Sequence, residues 1–210
     1  MGVLVVLLTG LLTGGAASLL SPWMRSVAEA DSRWLRSGAH VVIAAALGMG
    51  AAALAEGWVE LAAFAALAVA GGLLVVVDLA VHRLPDVIVA PAGVVLFVAL
   101  TVSAASEGSW QAWLRAGLAA GCVGLGYFLL ALISPSGLGL GDVKLAALSG
   151  AFLGWQGWSQ VILGTVAAFV VNGVVVGVLL LARRVSLRSA VAFGPSIVLG
   201  AVLGAASGAL

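Results

Sequence analysis

Charge is what this sequence has least of. Only 8% of its 210 residues are Asp, Glu, Lys or Arg, while 63% are hydrophobic. A soluble domain carries about a quarter of its residues charged, so these few cannot clothe a water-exposed surface, and a soluble globular fold is excluded. The net charge of +1 gives a nucleic-acid partner no footing. Cysteine is nearly absent too. Cys122 stands alone inside an apolar run, which excludes internal disulfides and paired-CxxC zinc sites. Neither metal nor cofactor is expected. The apolar stretch from Val3 to Leu20 has no basic residue ahead of it and no small-residue cleavage site. A retained span is expected there rather than a removed signal peptide.

What is present is a series of apolar runs separated by short polar breaks. Their apolarity is continuous rather than alternating, which favours helices over barrel strands. About 20 residues cross a hydrocarbon core. On that measure about eight spans are expected, at Gly2–Leu20, Ala39–Ala55, Leu61–Ala80, Val87–Ser103, Ala112–Ile133, Asp142–Gly154, Val161–Ala182 and Val191–Ala209. The expected fold is an all-α polytopic membrane helix bundle, with residues 1–210 forming one integral membrane domain. Eight spans put Arg25, Arg33, Arg36, Arg83, Lys144, Arg183, Arg184 and Arg188 on one side and only Arg115 on the other. The richly basic side is the cytoplasm. Trp23, Trp34, Trp58, Trp110, Trp113, Trp155 and Trp158 fall near span ends, as interfacial anchors do. The longest polar stretch, Ser21–Gly38, suits a short amphipathic segment on the cytoplasmic face, with substrate docking as the alternative.

The acidic residues are few enough to sort. Glu56, Glu60 and Glu107 fall in outer loops, where water would solvate them. Glu29 and Asp31 sit in the first cytoplasmic loop, and Asp86 follows Pro85 as a helix-start residue. Asp78 and Asp142 remain, at the ends of apolar runs and on the same expected side. A carboxylate there is expensive and needs a reason. Three stay open: a shared-proton aspartic dyad acting on water, an ion pair with Arg83 or Lys144, or a proton relay in a transporter. Gly137, Gly139 and Gly141 alternate just before Asp142, where missing side chains would let a substrate backbone approach. Gly117, Gly121, Gly124 and Gly126 would allow close helix packing, and Asn172 an interhelical hydrogen bond.

Three ordered motifs resemble the type IV prepilin peptidases. G-L-G-D at Gly139–Asp142 is similar to their G-x-G-D segment. D-L-A-V-H-R-L-P-D at Asp78–Asp86 resembles their aspartate followed by L/I-P-D/N, and F-G-P-S at Phe193–Ser196 resembles their late F-G-P segment. The resemblance runs from about Leu61 to the end. It implies an aspartic endopeptidase of the bacterial inner membrane that removes the basic leader of prepilins or pseudopilins at the cytoplasmic face. Asp78 and Asp142 match the catalytic positions. Gly139, Gly141 and Lys144 match residues that shape the site, and Asp86 sits where the family also accepts asparagine. The implied partners are a prepilin or pseudopilin helix and the lipid bilayer. Many bacterial members also carry a cytoplasmic domain with paired CxxC motifs and methylate the new amino terminus. Here Ser21–Gly38 stands in its place without a cysteine, so a short peptidase-only form is expected. Alternatives are a presenilin-like protease that cuts within spans and a small proton-coupled transporter.

Overall fold

A computed structural model of the chain describes residues 2–134, 137–184, 186 and 191–208. Arg188, one of the cations used for orientation, lies outside them. Among the described residues there are ten helices and no strand: α1 (Val3–Leu19), α2 (Ser21–Ala28), α3 (Arg33–Arg36), α4 (Ala39–Leu54), α5 (Trp58–Val81), α6 (Asp86–Glu107), α7 (Trp110–Ile133), α8 (Leu140–Gln156), α9 (Trp158–Leu181) and α10 (Gly194–Ala206). The all-α expectation holds, and each of the eight apolar runs is a helix. Four of them, α5, α6, α7 and α9, are long and apolar enough to cross a membrane. The pair α1 and α2, bent by 50°, makes a fifth if taken as one span. Helices α4, α8 and α10 have 16, 17 and 13 residues, short of the ~20 a perpendicular crossing needs. Length and composition thus account for a multi-pass membrane protein with four or five crossings, and the remaining helices are shorter.

The chain divides into two compact units, Met1–Trp113 and Leu114–Leu210. In the first, α5 is the hub, packed by α1, α2, α3, α4 and α6. Nine consecutive residues, Ala70 to Asp78, are buried, so that part of α5 is covered on every side. Small residues make this closeness feasible. A Cβ at Gly72 would sit 2.7 Å from the His40 carbonyl oxygen and 2.8 Å from the Ala44 Cβ. On the other flank of α4, the Thr13 hydroxyl of α1 donates to the Ala44 carbonyl at 2.9 Å.

Several side chains sit differently from expectation. Glu60 is not in water. It is 3% exposed in the first turn of α5, where its Oε2 accepts the Glu56 N–H at 2.9 Å and the helix dipole favours a carboxylate. Trp58, Trp110 and Trp158 open α5, α7 and α9 as exposed residues, but Trp155 is buried. The Asn172 side-chain oxygen has no hydrogen-bond partner among the described residues, so the expected interhelical bond is not made there. Of the four α7 glycines, only Gly124 lies against another helix, with its Cβ position 3.0 Å from the Ala147 Cβ. The other three face open space. In the polar stretch, Arg36 donates from Nε to Asp31 Oδ1 at 2.6 Å. That bond holds the fully exposed Asp31 carboxyl below its ordinary range, and at such exposure it adds little to stability.

In the second unit, Arg115 explains its own exception to the one-sided distribution of cations. Its guanidinium donates to the Gly154 carbonyl at 2.6 Å and the Trp155 carbonyl at 2.7 Å, satisfying the carboxy-terminal end of α8 and its dipole. Arg115→Ala is expected to lower the stability of the detergent-purified protein by about 2 kcal/mol, as charge-assisted bonds do. Arg115→Lys, a point charge without the fork, should recover only part. Equal thermal midpoints for all three proteins would show that the cap is idle.

Candidate active site

Asp142 is placed by local rules. Gly139 is the N-cap of α8 in extended conformation (φ −86°, ψ 159°), and Asp142 is the third residue of the helix. Its Oδ2 accepts the Gly139 N–H at 2.8 Å. This is one arm of a capping box. Gly139 has no side chain to supply the other arm, so the Asp142 N–H bonds to the Gly139 carbonyl oxygen at 3.1 Å instead. A cap alone needs no burial, yet Asp142 is only 9% exposed. Gly141 belongs to the first turn of α8 rather than to a loop. Gly139 has no positive φ, and a Cβ there would meet Asp142 Oδ2 at an ordinary 3.4 Å. Its missing side chain therefore leaves space beside the carboxylate without being demanded by the backbone. Lys144 is exposed on α8, two residues from Asp142, and residues two apart on a helix do not face each other.

Asp78 is in the first unit, in the last turn of α5, and 4% exposed. Its carbonyl oxygen accepts the His82 N–H at 2.8 Å. His82, at φ 52°, ends the helix in the left-handed region. The turn that follows ends at Pro85, the N-cap of α6, and Asp86 is the first residue of that helix, as a helix-start residue should be. The L-P-D motif thus forms the corner after Asp78. Asp142 lies at a helix amino terminus, where the dipole favours the anion, and Asp78 near a carboxy terminus, where it does not.

Tyr127 is the residue that sequence alone did not single out. It is the chain's sole tyrosine and is 3% exposed on α7. Phe169 of α9 and Phe193 lie 5.2 Å and 5.8 Å from it, centroid to centroid, and 5.5 Å from each other. Phe193 is the N-cap of α10, which gives the F-G-P-S segment a structural duty. The available signal was a lone phenol well inside an apolar run, away from the interfacial ends that tyrosine prefers.

Among the described residues the buried carboxylates are Glu60, Asp78 and Asp142. No group of three or more His, Cys, Asp or Glu side chains among the described residues could hold a metal ion. Compared with known proteins, the chain matches the type IV leader peptidase family over residues 64–206. Neither a curated protein nor a solved structure matches it. The matched segment contains Asp78 and Asp142 and begins after Glu60.

Proposed function

The chain belongs to the type IV leader peptidase family, and from that premise we propose that it is an aspartic endopeptidase using Asp78 and Asp142. Its substrates in this proposal are prepilins or pseudopilins. It cuts their leader at the cytoplasmic face of a bacterial inner membrane, just before the hydrophobic helix. One observation carries the reading: Asp78 and Asp142 are the buried carboxylates of the matched segment, and buried carboxylates in membrane proteins are functional by default.

The chemistry follows from pairing them. Two carboxyl groups sharing one water cannot both ionise, so the pair holds one proton. The ionised member takes a proton from water as the hydroxide oxygen attacks the scissile carbonyl carbon. The protonated member gives its proton to the carbonyl oxygen. Collapse of the tetrahedral intermediate reforms the carbonyl, breaks the C–N bond, and sends a proton to the leaving amine. The helix ends favour Asp142 as the base and Asp78 as the acid, while the pair titrates as a unit. A substrate that is itself an apolar helix reaches such a site laterally through the bilayer. Its scissile bond needs water, which suits the membrane surface rather than the midplane. Eight crossings with a cytoplasmic basic face belong to the same proposal.

The test is reconstitution of the purified protein in liposomes with a prepilin, followed by mass spectrometry of the products. The expected product is a mature chain cut immediately before its hydrophobic helix. Cuts inside the helix would indicate a protease of the presenilin-like kind instead. An intact substrate together with proton flux through the liposomes would replace the peptidase with a transporter.

A further inference from the structure

Helices α7 and α8 run antiparallel in a register that glycine contacts define. The Cβ position of Gly154 lies 2.9 Å from the Ala116 Cα, that of Gly150 lies 2.9 Å from the Ala119 carbonyl oxygen, and that of Gly124 lies 3.0 Å from the Ala147 Cβ. Numbers fall along α8 at nearly the same pace as they rise along α7, so the next step of the ladder brings Tyr127 level with residues 142–144, the first turns of α8. A small void has Tyr127 and Ala146 in its wall, and Ala146 is one helical turn from Asp142 on the same face. Phe169 and Phe193 both pack against the ring.

We propose that Tyr127 is a positioning residue for Asp142, its hydroxyl donating to Oδ1, the carboxylate oxygen that Gly139 leaves unused. Rigid aromatic packing aims the hydroxyl at a fixed point, which a mobile side chain could not do. A neutral donor buried beside a carboxylate favours the ionised form, which the proposed base must have. The bond forms when substrate is seated, as catalytic hydrogen bonds tighten in the substrate complex. In the proposed dyad Asp78 shares the proton of Asp142, and the other ionisable groups of the elements around Asp142 in its own unit are few. Lys144 shares its helix, and α7 adds Arg115 at the far end and Cys122. No ionisable side chain occurs on α9 between Trp158 and Leu181, with Arg183 and Arg184 just beyond its end, and α10 has none. The inference rests on Asp142 being catalytic.

Tyr127→Phe removes one oxygen and keeps the ring in its cluster. In the liposome cleavage assay its expected effect is a shift of the acid limb of the pH–rate profile upward by about one pH unit, the size of one charge-assisted hydrogen bond. KM should be unchanged, and activity should recover at higher pH. A ring that serves packing alone would leave the limb in place. Phe193→Leu, which loosens the ring without touching the hydroxyl, should move the limb in the same direction by less. Wild-type pH profiles for both variants overturn the proposal. If Asp142→Asn abolishes cleavage while Tyr127→Phe does nothing, only this inference fails. If Asp142→Asn still cleaves, the assignment of the base fails with it.

Discussion

Asp78→Asn and Asp142→Asn are each expected to abolish cleavage of a prepilin leader, by a factor of roughly a thousand or more, in protein that still inserts and purifies. The size follows from the roles. General acid–base catalysis by one positioned group contributes about 10²–10⁴-fold, and an amide can neither take a proton from water nor deliver one to a carbonyl. Survival of the fold follows from local geometry. In Asp142→Asn the amide oxygen can accept the Gly139 N–H as the Asp142 carboxylate does at 2.8 Å, so the cap of α8 persists. At position 78 the backbone bond to His82 does not involve the side chain. Two controls make the result specific. Asp86→Asn lies at the start of α6 and should cleave at the wild-type rate. Glu60→Gln removes a buried carboxylate outside the matched segment. Its amide oxygen can still accept the Glu56 N–H, so only the charge's interaction with the helix dipole is lost, about 0.5 kcal/mol, with the turnover of folded protein unchanged. Activity in both aspartate variants, verified as folded, would sink the two-carboxylate mechanism. Loss in Glu60→Gln at full stability would place the chemistry elsewhere.

The sequence carried much of this because membrane chemistry is sparse. With eight acidic residues, each could be weighed in turn, and burial now separates Asp78 and Asp142 from the exposed ones. Continuous apolar runs gave eight helices, since hydrocarbon leaves the backbone few other choices. Crossings were harder to count from the same signal. Apolarity is the same in a full-length span and in a shorter helix, so the run that holds α10 gives no sign that the helix has only 13 residues. Glu60 was misplaced because a loop-end glutamate looks solvated until its backbone partner, the Glu56 N–H, is in place. Tyr127 was invisible for a related reason. Its meaning depends on the register of α7 against α8, and no periodicity within one helix contains that information. Glycines on α7 suit close packing, but composition cannot say which side of a helix meets a neighbour.

Gly204→Ala should therefore cost more than any α7 glycine change, although each adds the same single methyl group. Helices α9 and α10 touch backbone to backbone. A Cβ at Gly204 would fall 2.6 Å from the Gln160 carbonyl oxygen and 2.7 Å from the Gly164 Cα. One at Gly200 would fall 2.6 Å from the Gly164 carbonyl oxygen and 2.7 Å from the Ala168 Cβ. Backbone atoms cannot rotate aside as a side-chain tip can, so the helices must separate. Overpacking in a well-filled interior costs about 1–3 kcal/mol, and occasionally more. With α10 so short, the upper part of that range is expected. Gly117→Ala, Gly121→Ala and Gly177→Ala, where nothing lies within 4 Å, should be neutral or slightly stabilising, since alanine favours helix over glycine. Unfolding of the detergent-purified variants measures the contrast, and equal midpoints for Gly204→Ala and Gly177→Ala would refute it. The effect should also reach catalysis. Helix α10 begins at Phe193, which bears on Tyr127, so separating α10 from α9 slackens the ring cluster beside Asp142. Gly200→Ala protein that remains folded should then show the same upward movement of the acid limb as Phe193→Leu, without any change to an ionisable residue.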